Sequence, residues 1–169
     1  PVDKINKLSS NYAPGVTNSS ITGGGQITDP TKSALHELDS DAKLHGIDIS
    51  VISAYRSYQT QIGTFEYWVQ REIATGLPRP QAETKANLYS ARPGHSEHQL
   101  GTTIDLKCKS CYDFEISESN LKLYKYLEAN CYKFGFAISY PKNSLELTGY
   151  KYEPWHIRYI GKDLAKEFF

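Results

Sequence analysis

Polar side chains that bind metals or activate water are concentrated in three short stretches of this sequence. The stretches are Ser96-Glu97-His98-Gln99-Leu100-Gly101-Thr102-Thr103-Ile104-Asp105, then Glu153-Pro154-Trp155-His156, and Tyr55-Arg56-Ser57 with Gln61 close behind. A hydrophobic core excludes unpaired polar groups because burying them costs free energy. We therefore expect these stretches to form a functional site.

Two imidazoles and one carboxylate, from His98, His156 and Asp105, provide the nitrogen and oxygen donors that zinc prefers. A catalytic zinc ion typically takes three protein ligands and leaves a fourth position open. Gly101 lets the chain turn sharply between His98 and Asp105, so these two residues can converge on one ion. The sequence therefore predicts a single Zn²⁺ held by His98, Asp105 and His156.

A carboxylate and a guanidinium accompany the predicted ligands. Glu153 lies shortly before His156, and Pro154 restricts the backbone between them. A carboxylate that is near a metal but not bound to it can accept a proton from water and pass it to a leaving amine. Arg56 offers fixed N–H donors and a permanent charge, which suit a carbonyl oxygen that becomes negative. The pattern predicts metal-assisted hydrolysis, with Glu153 as the base.

Other interpretations apply to single residues of this pattern. Asp105 lies in an apolar strand and needs a partner, which a metal ion would supply, although a salt bridge to Arg92 could also do so. His36 and His45 belong to a predicted amphipathic helix or its end, so we do not expect them to be ligands. His95 is close enough in sequence to support the ligands from outside.

The pattern Ser-x-His-x-x-Gly-x-x-x-Asp, followed downstream by Glu-x-x-His, resembles a known family. It is similar to the zinc D-alanyl-D-alanine carboxypeptidases and dipeptidases linked to vancomycin resistance, especially the VanY-like branch, and equally to the related L,D-carboxypeptidases. The resemblance spans about residues 30–169 and includes three blocks in the expected order: Ser53-Ala54-Tyr55-Arg56-Ser57, Pro93 to Gly101, and Glu153 to Gly161.

The resemblance implies a role for each matching residue. His98, Asp105 and His156 match the zinc ligands, Glu153 the catalytic base, and Arg56 the arginine that contacts the scissile carbonyl. Ser96 and Gln61 match positions that hold the terminal residue and carboxylate of the substrate, and we add Tyr55 to the candidate substrate-binding residues. The family often has alanine where this chain has Thr103, which places an additional hydroxyl near the metal.

The implied activity is removal of the C-terminal D-alanine from peptidoglycan stem peptides. The first alternative is an L,D-carboxypeptidase that cuts the tetrapeptide to the tripeptide, because the motif residues are the same. The second is a non-catalytic zinc module that binds peptides or a partner protein, although such a module would not need Glu153 and Arg56 together. A strict dipeptidase and a phage-type endopeptidase fit less well.

The surrounding sequence predicts the elements that must position these residues. Helices are predicted over 30–46, 59–74, 81–88, 121–135 and 162–169, and strands over 47–51, 102–106, 136–140 and 152–160. Residues 90–97 and 113–119 are predicted loops, and a loop over 141–150 should join two strands. In the last strand, His156 and Arg158 share one face, opposite Trp155, Ile157 and Tyr159.

Strands and helices that are mixed without regular alternation indicate an α+β fold with a small, mainly antiparallel sheet flanked by helices. The family resemblance implies the same class, the zinc peptidase fold shared with hedgehog signalling proteins. We predict an irregular N-terminal segment over residues 1–29 and a single zinc peptidase domain over residues 30–169.

Composition limits the possible partners and compartments. The chain has 169 residues, of which 39% are hydrophobic and 22% charged, as in a globular domain. Nineteen basic and nineteen acidic residues balance, which argues against nucleic-acid binding, and no apolar run reaches the length of a membrane span. The chain begins at Pro1 and lacks methionine, so we expect that a signal or anchor segment was removed and that the protein acts outside the cytoplasm; a cytoplasmic location stays open.

The three cysteines, Cys108, Cys111 and Cys131, do not decide the compartment. One disulfide with a free thiol would suit an oxidising compartment, whereas three buried thiols would suit the cytoplasm. A four-thiolate zinc site is disfavoured because a fourth ligand is missing.

Overall fold

The computed structural model describes residues 2–114 and 117–169. The strands are β1 (Thr17–Asn18), β2 (Gln26–Ile27), β3 (Ile49–Ser53), β4 (Thr103–Cys108), β5 (Phe136–Ile138) and β6 (His156–Tyr159). The α-helices are α1 (Asp29–Leu44), α2 (Tyr58–Ile73), α3 (Arg79–Ala86), α4 (Glu118–Asn130), α5 (Leu145–Thr148) and α6 (Lys162–Glu167). Two 3₁₀ helices cover Glu97–Leu100 and Cys131–Phe134.

The main sheet has four strands in the order β3-β4-β6-β5, and every neighbouring pair is antiparallel. β4 is a central strand between β3 and β6, so its side chains lie between those of two other strands. In the β4–β6 ladder, Asp105 pairs directly with His156. The sheet thus confirms the predicted α+β class and brings together two residues that are distant in sequence.

One face of the sheet is covered by helices α1 and α4. In α1, Ala34, Leu35, Leu38 and Ala42 recur at helical spacing and are buried, as expected for a stripe that faces the core. These residues form one cluster with α4 and the inward side chains of the sheet, among them Leu123, Leu127, Ile104, Leu106 and Ile157. The opposite side chains of β4 and β6, at alternate positions, are left for the site.

None of the described helices combines the length and the apolar composition that crossing a bilayer requires. The longest, α1 and α2, have 16 residues each.

Several predicted boundaries differ from the structure. β6 begins at His156 rather than near residue 152, because the backbone N–H of His156 donates to the Glu153 carbonyl and closes a turn. The connection over 141–150 joins two strands as predicted, but it contains the short helix α5. Of the predicted loop 113–119, residues 115 and 116 lie outside the described part of the chain.

The N-terminal segment is more ordered than the prediction of an irregular stretch. β1 and β2 pair antiparallel, and Ile27 is fully buried in the main core. The backbone N–H of Leu8 donates to the Gly94 carbonyl, and the amide of Gln99 donates to the Ser9 carbonyl. This segment therefore contacts both the loop before His98 and the 3₁₀ helix that contains it.

Cys108 and Cys111 form a disulfide, and Cys131 is a buried free thiol. Of the alternatives left open by the sequence, the structure has one disulfide and one free cysteine. Burial raises the pKa of the Cys131 thiol to about 12, so this residue is inert at neutral pH.

Candidate metal centre

The three predicted ligands come from two neighbouring strands and one tight turn. Asp105 on β4 and His156 on β6 are directly paired across the ladder. His98 lies in the 3₁₀ helix Glu97–Leu100, which ends at Gly101 with a φ of 71°, a conformation that glycine adopts without strain. Because β4 begins only two residues after Gly101, this turn directs His98 back over Asp105.

His98, Asp105 and His156 converge as predicted: each offers a ligand atom, and these atoms all lie within 4.8 Å of one another. His98 Nε2 is 3.1 Å from Asp105 Oδ2, and His156 Nδ1 is 3.0 Å from Asp105 Oδ1. Both histidines are buried, at 1% and 4% exposure, and Asp105 is partly buried. The carboxylate thus lies between the two imidazoles.

The orientation of the His98 ring supports a metal site. Its Nδ1 is 2.7 Å from the Ala54 carbonyl oxygen, an acceptor, so Nδ1 carries the proton and Nε2 keeps a free lone pair. Nε2 is buried and makes no hydrogen bond, although Asp105 is nearby. A buried nitrogen without a partner is costly, and a metal ion would satisfy it. The donor set, with two nitrogens and one carboxylate, fits zinc.

Burial and mutual charge set the protonation tendencies of the ligands. Burial lowers the pKa of His98 to about 4, and the nearby Arg56 charge adds to this. Burial alone would lower the pKa of His156 and raise that of Asp105. The carboxylates of Asp105 and Glu97 reverse the effect at His156, and the imidazoles of His98 and His156 reverse it at Asp105. The pKa of His156 rises to about 10 and that of Asp105 falls below its usual range.

Glu153 lies beside this donor set without joining it. Its Oε2 is 3.8 Å from His156 Nδ1, beyond hydrogen-bond distance, and its side chain is buried. The turn over 153–156 and a backbone hydrogen bond from Glu153 to the Tyr140 carbonyl fix its position. Burial raises the pKa of Glu153 to about 8, against the opposing charge of His156. Such a carboxyl group can both accept and release a proton near neutral pH.

Arg56 approaches the same place from the end of β3. Its backbone N–H donates to the His98 carbonyl, which ties the arginine to the metal-binding turn. Burial lowers the pKa of Arg56, while the charges of Asp105 and Glu153 counteract this. The side-chain Nε is buried and has no hydrogen-bond partner, so the guanidinium retains a free donor for a ligand.

A cleft of about 380 Å³ opens beside these residues. Its lining includes the charged residues Arg56, Asp105, Glu153 and Lys151, five aromatic residues (Trp68, Tyr89, Phe114, Tyr152 and Trp155), and Ile52, Ser53 and Ser90. A mostly apolar cleft with a few convergent charged groups is the usual form of a small-ligand site. A second groove, of about 430 Å³ near the C-terminal helix, contains none of the predicted site residues.

The three predicted substrate-binding residues flank the cleft but do not line it. Gln61 is buried and donates its amide to the Ala91 carbonyl, while its Oε1 has no partner. Ser96 caps the 3₁₀ helix by accepting a hydrogen bond from the His98 backbone. Tyr55 follows Ala54 and is half-buried. Their substrate contacts stay predictions.

The salt bridge from Arg92 to Asp105 that the sequence left open does not form; the Arg92 guanidinium is 3.1 Å from Glu83 on α3. The Nδ1 of His95 is 2.7 Å from the Asp3 carbonyl oxygen of the N-terminal segment, and the support of His95 for the ligands stays a prediction. As expected, His36 and His45 lie away from the site and contact backbone carbonyls of Ser19 and Asp41.

Thr103 lies two residues before Asp105 in β4, and therefore on the same face of that strand. Its hydroxyl is buried and makes no hydrogen bond. The departure from alanine at this position therefore adds a polar atom to the face that carries the ligands.

Sequence reasoning assigned no role to Glu97, although the structure places it in the site. Its Oε2 is 3.0 Å from His156 Nε2, on the side of the ring opposite Asp105. Two features of the sequence could have indicated this role: Glu97 is adjacent to His98, and Arg158, a possible charge partner, shares a strand face with His156.

A buried His-Asp-His donor set on a small antiparallel sheet, with a free glutamate beside it, defines the fold and site of a single-zinc peptidase. The chain belongs to the VanY family, described as D-alanyl-D-alanine carboxypeptidase, whose sequence profile matches residues 25–162.

Relatives and solved structures agree with this assignment. A D-alanyl-D-alanine carboxypeptidase of Enterococcus faecalis (strain ATCC 700802 / V583) is 32% identical over 149 residues, which are 88% of this chain and 54% of the relative. A mutant of the vancomycin resistance D,D-pentapeptidase VanY, solved in complex with Zn(II), is 30% identical with a TM-score of 0.88 over 99% of this chain and 90% of that one. The LdcB LD-carboxypeptidase is 33% identical, with a TM-score of 0.81, and the alignment covers 99% of this chain and 78% of that one.

The chain spans about half the length of the curated relatives it matches. Within this chain, the family profile covers residues 25–162 and the Zn(II)-containing structure aligns with 99% of the residues. Both agree with the His-Asp-His donor set, so zinc is the metal that fits the site.

Proposed function

We propose that this protein is a zinc carboxypeptidase that hydrolyses the C-terminal D-alanine from peptidoglycan stem peptides. The observation that carries the proposal is the joint placement of His98, Asp105 and His156 with Glu153 only 3.8 Å from His156. Arg56 and Glu153 line the same cleft. The family description, D-alanyl-D-alanine carboxypeptidase, supports the substrate class.

The residues divide the chemistry of hydrolysis among them. A zinc ion bound by His98, Asp105 and His156 would act as a Lewis acid, which polarises a carbonyl and lowers the pKa of water. Glu153 accepts a proton from the attacking water at its carboxylate and delivers it to the nitrogen of the departing D-alanine. Arg56 donates hydrogen bonds to the carbonyl oxygen as negative charge develops there. Water is thereby added across the peptide bond, and the products are a shortened peptide and free D-alanine.

We infer that the reaction takes place outside the cytoplasm, where peptidoglycan is found. The Cys108–Cys111 disulfide supports this location, because disulfides persist mainly in oxidising compartments.

Two synthetic stem peptides test the proposal and separate it from the L,D alternative. We expect mass spectrometry to show conversion of a pentapeptide ending in D-Ala-D-Ala to the tetrapeptide, and little conversion of the tetrapeptide to the tripeptide. A pentapeptide ending in L-Ala-L-Ala is the matched control and should remain intact. Conversion of the tetrapeptide alone would establish the L,D-carboxypeptidase activity named in the LdcB relative instead.

A chelator distinguishes the enzyme from a non-catalytic binding module. D-alanine release should stop after treatment with a zinc chelator and return when Zn²⁺ is added, because the ligands alone do not polarise the carbonyl. Zinc binding without any release of D-alanine from either peptide would favour the binding module.

Replacing Arg56 with lysine should lower kcat by about 10²–10³-fold, the usual effect of losing a donor to a developing oxyanion. Lysine keeps the positive charge but lacks the planar fork of the guanidinium. The measurement is steady-state D-alanine release, together with zinc content and thermal unfolding. Arg92→Lys is the matched control, since Arg92 pairs with Glu83 away from the ligands. A kcat within twofold of the wild type for Arg56→Lys would remove Arg56 from the mechanism.

A further inference from the structure

Glu97 is a buried carboxylate that contacts one of the zinc ligands. It is 7% exposed and immediately precedes His98 in the 3₁₀ helix, but its carboxylate points to His156 on β6. The distance from Glu97 Oε2 to His156 Nε2 is 3.0 Å. Glu97 therefore links the turn that carries one ligand to the strand that carries another.

The two sides of the His156 ring face different carboxylates. Nδ1 is 3.0 Å from Asp105 Oδ1 within the donor set, and Nε2 is 3.0 Å from Glu97 Oε2 outside it. When Nδ1 gives up its hydrogen and binds a metal, an acceptor at Nε2 keeps the hydrogen on that second nitrogen. In His98 the assignment is opposite, because the Ala54 carbonyl faces Nδ1 and leaves Nε2 free. Each imidazole thus has its own acceptor.

Both oxygens of Glu97 are held by other residues. The Ser139 hydroxyl donates to Oε2 at 2.6 Å, and Nη1 of Arg158 donates to Oε1 at 2.8 Å. Arg158 lies two residues after His156 on the same face of β6, and Ser139 directly follows β5. The carboxylate is therefore fixed from two strands, so it restricts the rotation of the His156 ring.

We propose that Glu97 is a positioning residue in the zinc site. It holds His156 in the orientation that presents Nδ1 to the ion. A carboxylate behind a ligating histidine fixes the ring and its tautomer and makes the imidazole a stronger ligand. The guanidinium of Arg158, 2.8 Å from Glu97 Oε1, compensates the negative charge of the buried carboxylate. The inference rests on the zinc site of the proposed enzyme but not on its substrate.

Zinc affinity measures this role directly. Competition with a chromogenic chelator should show about 10–100-fold weaker zinc binding for Glu97→Ala, the usual effect of removing such an outer partner. Glu97→Gln should fall between Glu97→Ala and the wild type, because its amide oxygen can still accept the hydrogen bond. The absorption bands of the Co²⁺-substituted protein should shift in Glu97→Ala, since they report ligand geometry.

Further variants separate positioning from folding and from ligation. Asp39→Asn removes another buried carboxylate, on α1, and should leave zinc affinity unchanged. Ser139→Ala removes one of the contacts that hold Glu97 and should weaken zinc binding by a few fold. If Glu97→Ala does not fold, the zinc affinities of Ser139→Ala and Glu97→Gln still test the proposal.

Zinc affinities within twofold of the wild type for folded Glu97→Gln, Glu97→Ala and Ser139→Ala would overturn the proposal. It would also fail if Glu97→Gln lost zinc as completely as His156→Ala, because Glu97 would then be a ligand. Because none of these measurements uses a peptide, an error in the proposed substrate would leave their outcome unchanged.

Discussion

Replacing Glu153 with glutamine is expected to lower kcat by about 10²–10⁴-fold, the range by which a positioned acid–base group accelerates a reaction. Glutamine has nearly the same shape but does not accept a proton from water or deliver one to the leaving nitrogen. Glu153 lies 3.8 Å from His156 Nδ1 and outside the donor set, so zinc content should stay at that of the wild type. The measurement is D-alanine release from the pentapeptide, with zinc determined by elemental analysis.

The zinc content of Glu153→Gln distinguishes a base from a metal ligand. If Glu153→Gln loses both activity and zinc, Glu153 belongs to the ligand set and another group must move the proton. If it keeps both, Glu153 is not the base. Glu37→Gln is a matched control because Glu37 is exposed on α1 and pairs with Lys162. Thermal unfolding of both variants shows whether a lower rate reflects a loss of folded protein.

The sequence was sufficient to predict much of the site because its ligands follow local rules. A glycine after the first histidine indicated a turn, and Gly101 ends the 3₁₀ helix in the left-handed conformation. Alternation along the last strand predicted which side chains face the site, and Ile157 is indeed in the core while His156 faces Asp105. These features depend on neighbours in sequence, so periodicity and residue type reveal them.

Contacts that depend on strand register were beyond sequence reasoning. The direct pairing of Asp105 with His156 depends on how β4 and β6 align, and no local pattern specifies that alignment. The contacts of Glu97 with His156 and Arg158 also depend on where β6 lies relative to β4. The acceptor for His98 is a backbone carbonyl, that of Ala54, which no side-chain pattern can indicate.

The boundaries that were wrong have a similar origin. Alternating apolar residues suggested a strand from residue 152, but the Glu153 carbonyl accepts a hydrogen bond from His156 and forms a turn instead. This turn places Glu153 beside the ligand that follows it, rather than along an extended strand. The turn, rather than a strand, thus positions the residue that we propose as the base.

Asparagine in place of Asp105 should strongly reduce both zinc content and activity, because it removes the only negative charge among the three predicted ligands. A neutral amide oxygen binds zinc far more weakly than a carboxylate, which is among the ordinary zinc donors. Loss of the metal removes several kcal/mol of transition-state stabilisation, which corresponds to at least about 10³-fold in rate. We expect less than one tenth of the wild-type zinc after dialysis against a weak chelator.

Stability measurements separate metal loss from misfolding in this variant. Asp105 contacts both His98 and His156, so its replacement also removes a buried charge partner and should lower the unfolding temperature of the zinc-free protein. Asp39→Asn removes a buried carboxylate that pairs with Lys43, and serves as the control for that cost. If Asp105→Asn stays folded but binds zinc with wild-type affinity, the cluster of two imidazoles and a carboxylate is not the metal site. Glu153 and Arg56 would then flank a structural charge network, and the proposed hydrolytic chemistry would lose its basis.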